Sequence, residues 1–186
     1  MTEDSQPKKS FYALEMFVEP GGVRECLVFV VASLDVAKRV LDAALHRPFD
    51  AYLWACYGRS AWLSAYRRGR LVQEINLLPF IKLVIEDSAP FGFDENGAPR
   101  GSNGPLPDLG ALREELWDGS ARVGGWVDWD RLAVEPLRGP AAVPGDSVTI
   151  RSHYVGGEED VRYGVTETES GLHAEIDLEA EHWGLA

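Results

Sequence analysis

The chain has 186 residues, 45% of them hydrophobic and 26% charged, which is the composition of a globular protein and excludes a disordered one. No apolar run approaches the ~20 residues of a membrane helix, and the polar start MTEDSQPKKS lacks the apolar stretch of a signal peptide, so a cytoplasmic protein is expected. The net charge of −12 sits in one half: residues 1–87 hold eleven Lys and Arg against eleven Asp and Glu, whereas residues 88–186 hold seven Arg against nineteen Asp and Glu, a field that repels nucleic acid and attracts a basic protein.

Residues 1–10 are expected to form a disordered tail. FYALEMFVE (11–19) and RECLVFVVA (24–32) are apolar, β-rich runs on either side of Pro20-Gly21-Gly22 and predict a hairpin. SLDVAKRVLDAALH (33–46) has Ser33 as a cap, Asp35 in the positive first turn and Leu34, Ala37, Val40, Leu41, Ala44 and Leu45 at helical spacing. DAYLWACY (50–57) is apolar on both faces and predicts a central strand. A hairpin follows with its turn at Arg67–Arg70, Tyr66 facing Leu71, Ser64 facing Gln73 and Trp62 facing Ile75. FIKLVIE (80–86) completes a four-strand meander. Cys26 and Cys56 lie inside apolar runs and read as buried free thiols, and no Cys/His spacing suggests zinc.

The Gly/Pro-rich stretch 88–106 predicts a linker or flap between two lobes, part of it docked through Phe91 and Phe93. The second lobe, 107–186, is expected to hold a helix at 107–117 capped by Asp108, a strand at 122–129, and an antiparallel meander built from 147–155, 161–168 and 173–181. A two-residue turn at Ser170-Gly171 would pair Val165 with Ile176, Tyr163 with Leu178 and Val161 with Ala180 on one face. Ser152 would face Tyr163 and Ile150 would face Val165. The other face would set His153 beside Arg162 and Glu179, Arg151 beside Asp177, and Thr166 beside Glu175.

His173, Glu175 and Asp177 alternate, so a strand would point all three the same way. Same-face neighbours on a strand are about 6.5–7 Å apart, too far to converge easily on one ion. A solvated sheet face is therefore preferred to a metal centre, and neither a metal nor a cofactor is expected. His46, at the end of the first helix, reads as a partner for the helix dipole. Ser60 and Ser64 lack a GxSxG turn, and no P-loop or dinucleotide-binding glycine pattern occurs. Two features ask for more than a structural role. One is the basic tip Arg67, Arg68 and Arg70, with no acidic residue beside it in sequence. The other is GGWVDWD, where Trp126 and Trp129 are either core or a recognition surface.

These readings predict an α+β protein of mainly antiparallel sheets with two main helices and two small lobes. The expected function is a non-catalytic interaction protein that binds a basic protein partner through its acidic second lobe, with Glu175, Asp177, Glu179 and Glu181 in the binding surface. It would work as inhibitors or immunity-type proteins do, an analogy of charge and size. The alternative is a small hydrolase with His153, His173, Glu175 and Asp177 in a site between the lobes. A third reading is a self-assembling component, joined head to tail through the basic tip and the acidic stripe.

Overall fold

The structure is a computed structural model that describes residues 8–18, 25–46, 58–153, 159–167 and 173–177. It is α+β and mostly antiparallel, as the alternating apolar pattern predicts. Strands β1 (Phe11–Val18) and β2 (Glu25–Val31) form the first hairpin. Helix α1 (Leu34–Leu45) follows at once, with the Ser33 Oγ accepting from the backbone N–H of Val36 at 3.3 Å. Strands β3 (Gly58–Arg67) and β4 (Arg70–Asn76) make the second hairpin. Its turn is Arg68-Gly69, both with positive φ, the geometry that matches the twist of a two-residue hairpin.

The remaining strands are β5 (Ile81–Ile85), β6 (Phe91–Phe93), β7 (Pro99–Gly101), β8 (Val123–Val127), β9 (Ser147–Ser152), β10 (Glu159–Glu167) and β11 (His173–Asp177). Helix α2 (Arg113–Asp118) precedes β8 and ends at Gly119, which is left-handed. Among the described residues the strands form a seven-stranded sheet ordered β4-β3-β1-β2-β11-β10-β9 and a four-stranded sheet ordered β7-β6-β5-β8. No helix among them is long and apolar enough to cross a membrane.

Several expectations are corrected. The boundary at 88–106 does not separate the sheets: β9, β10 and β11 join β1–β4, while β5 leaves the first-half strands to pair with β6 and β8. The stretch 88–106 is itself part of the small sheet through β6 and β7, and Phe91 and Phe93 are buried as its docked residues. The expected tail is held at its end, because Ser10 is fully buried and its N–H donates to the Pro140 carbonyl at 2.8 Å. The predicted strand 50–57, with Cys56, lies outside the described residues, and so do the side chain of Cys26 and the turn at 20–22.

Two cores explain the arrangement. On one face of β1 and β3, Tyr12, Leu14, Met16, Ala61, Leu63 and Ala65 pack with Leu41 and Leu45 of α1 and with Ile81, Leu83, Ile85 and Phe91 of the small sheet. On the other face Phe11, Ala13 and Tyr66 pack with Val148, Ile150, Tyr163 and Val165 of β9 and β10. Strands far apart in the hydrogen-bonding order thus share one core, so the large sheet curls round on itself. The Tyr66 hydroxyl closes part of the gap, accepting from the N–H of Arg151 at 2.8 Å.

Candidate functional site

A strand covered on both faces should be apolar throughout. β1 breaks this rule once, in FYALEMFV, at Glu15, which is 0% exposed. A carboxylate so placed must be paired and hydrogen-bonded, or its burial costs several kcal/mol. Its Oε2 accepts from the Ser152 hydroxyl at 3.3 Å and from the His153 N–H at 3.2 Å. Its Oε1 lies 3.0 Å from Nδ1 of His153, and Nε2 of the same ring lies 2.8 Å from Oε1 of Glu74. Trp62, the neighbour of Glu15 across the β1–β3 ladder, stacks on the imidazole with ring centres 4.2 Å apart and planes 4° from parallel.

Two irregularities assemble this cluster. The β3–β4 ladder pairs Tyr66 with Leu71 as expected, but it then pairs Ala65 with Gln73, leaving Val72 as an extra residue. This β-bulge moves the following residues by one position. Glu74, instead of Gln73, therefore faces Ser64 and reaches the side of the sheet that carries Trp62. Gln73 lies on the opposite face, across from Ala65, and holds the 132–146 loop through the Ala133 carbonyl and the Glu135 N–H. The second irregularity is the bend after β9. The strand ends at Ser152, so Ser152 and His153 both turn to Glu15 instead of alternating.

This overturns the expected place of His153. The β9–β10 ladder is shifted by four residues from the expected register, with Val161 opposite Ile150 and Tyr163 opposite Val148. An even shift keeps the apolar residues on one face. It also sets Arg162 opposite Thr149 and leaves His153 beyond the ladder, with its side chain only 15% exposed.

Burial works against charge on the His153 ring, but the hydrogen bonds and charges of Glu15 and Glu74 outweigh it and raise the pKa. A carboxylate of the same chain stands at each ring nitrogen, an arrangement that favours the imidazolium form, which can donate from both. Glu15 and Glu74 also approach opposite ends of the ring and do not converge. Among the described residues no group of three or more His, Cys, Asp or Glu side chains could hold a metal ion.

The other candidate residues are dispersed. His173, Glu175 and Asp177 lie on β11, opposite Glu167, Val165 and Tyr163; their side chains are outside the described residues, as are Glu179 and Glu181. This ladder corrects the predicted pairing by one residue, since a two-residue turn at 170–171 cannot place Glu167 opposite His173. β11 also lies between β2 and β10 in the sheet.

The basic tip is not without an acidic partner: Arg67 binds Glu135 from the 132–146 loop at 3.2 Å, while Arg68 and Arg70 are exposed. Trp126 is exposed on the edge strand β8, with its indole N–H donating to Asp128 at 3.2 Å. Trp129 packs against the main core beneath the Lys38 ammonium. The His46 ring donates from Nδ1 to the Asp42 carbonyl, 2.7 Å away at the end of α1, in keeping with a helix-terminal role.

Sequence reasoning missed Glu15, Glu74 and Trp62. Glu15 was legible as a lone carboxylate inside an apolar strand. Glu74 was not, because its position depends on the bulge. No protein-family model matches the chain, and no curated protein or solved structure matches it either.

Proposed function

We propose that this is a non-catalytic protein that binds a basic protein partner through its acidic second half. The observation that carries the reading is on α2. Trp117 is 65% exposed there, and Glu114, Glu115 and Asp118 stand exposed around it, in the half that holds the whole net charge of −12. The exposed carboxylates offer a basic surface a counter-charge, and Trp is a residue type over-represented at binding hot spots. The surrounding field speeds its approach.

The engagement of both His153 nitrogens by carboxylates supports this reading over the hydrolase alternative. The cluster is what joins the sheet's edges, a structural task for the ring. Self-assembly through the basic tip has less in its favour, because Arg67 already pairs within the chain.

The test is affinity capture from lysate of the source cells, eluted in salt steps, with wild type and a variant carrying Trp117→Ala, Glu114→Lys and Glu115→Lys. Basic proteins should elute from wild type at moderate salt and be absent from the variant. An identical set from both would refute the proposal.

A further inference from the structure

The seven-stranded sheet has two edges, β4 and β9, at opposite ends of its hydrogen-bonding order. Among the described residues no backbone ladder joins them. The curl is closed instead by side chains: Glu74 on β4 and Glu15 on β1 grip His153 just past β9, and the Tyr66 hydroxyl receives the Arg151 N–H. We infer that the protonated His153 ring is a latch that closes the curled sheet edge to edge, and that loss of its proton releases the closure.

The geometry requires this coupling. Each of the two short contacts needs an N–H on the ring, and neutral imidazole has only one. Deprotonation turns one contact into a lone pair facing a carboxylate. It also leaves two carboxylates on either side of an uncharged ring in a half-buried site. Among the described residues the charged groups facing the ring are Glu15 from β1 and Glu74 from β4. From β3, Trp62 is neutral, and burial pushes the Tyr66 hydroxyl well above its usual value, so it stays neutral as well.

The sign follows. His153 has a folded-state pKa above its ordinary value of about 6.5. Its contribution is therefore complete below about pH 6.5 and is lost as pH rises through the higher folded value. A protein carrying this latch is closed in mildly acidic solution and opens on the alkaline side.

The experiment follows amide exchange by NMR together with titration of the His153 ring, in wild type, His153→Gln and Glu74→Gln. In wild type the protection factor of the Arg151 amide should fall as the ring titrates. The fall should be about tenfold for each unit by which the clamp raises the pKa, with protection in β5 unchanged. In His153→Gln it should be flat over the same range. Glu74→Gln keeps the ring and the buried Glu15, so it remains informative if His153→Gln fails to fold. There both the ring titration and the fall in protection should move to lower pH. A flat wild-type profile, a parallel fall at β5, or an unmoved midpoint in Glu74→Gln would overturn the latch.

Discussion

Removing Glu15 should damage the fold in a way that removing both members of the pair does not. In Glu15→Leu the strand becomes uniformly apolar, which by hydrophobicity alone should help. The structure predicts the reverse. The carboxylate serves the Ser152 hydroxyl, the His153 N–H and the His153 ring at 3.0–3.3 Å, and all three donors would lose this acceptor.

Breaking a buried ion pair by removing one partner costs about 3–5 kcal/mol. Glu74 still holds the other side of the ring, so the lower end of that range is expected, a fall in Tm of about 6–12 °C for a chain of this size. Glu15→Leu combined with His153→Leu removes the stranded charge as well. It should recover about 1–3 kcal/mol relative to simple addition of the single changes. The Ser152 hydroxyl and the backbone N–H of residue 153 still lose the Glu15 acceptor, and Glu74 loses the ring. Urea unfolding of the four proteins, with equal m-values, measures the cycle. A loss below 1 kcal/mol in Glu15→Leu, or strict additivity in the pair, would show that the carboxylate does not hold the cluster.

Two further outcomes test the packing. Gly125→Ala should cost about 1–3 kcal/mol by thermal melting, because its Cβ would lie 2.8 Å from the Lys82 carbonyl and 3.1 Å from Leu45 on α1, whereas Gly124→Ala, with nothing within 4 Å, should be tolerated; equal melting of the two would refute the α1–β8 contact. Val165→Asp should unfold the protein by placing an unpaired charge in the second core, where Val165 is 2% exposed; unchanged far-UV circular dichroism and melting would contradict the burial.

Local pattern was enough for the elements whose partners lie near in sequence. The spacing of Leu34, Ala37, Val40 and Leu41 fixes α1, because an apolar stripe every three to four residues has one way to be buried. The apolar, β-rich runs at 11–18 and 25–31 fix strands, and Arg68-Gly69 fixes a tight turn. Even the β9–β10 error of four residues preserved the correct faces, since strand periodicity is two. The overall α+β class followed from these elements.

What pattern could not decide was which strands meet. β11 lies between β2 and β10, and β5 crosses to another sheet, because burying the outer face of β1 and β3 requires a second layer that a local window does not register. The bulge at Val72 is one inserted residue, too small to change the apolar alternation visibly, yet it selects Glu74 over Gln73. The bend after Ser152 takes His153 off the expected wet face. Glu15, Glu74 and His153 are separated by up to 138 residues in the chain. Only the curl of the sheet brings them within hydrogen-bond distance, and that curl follows from two cores lying on opposite faces of the same strands.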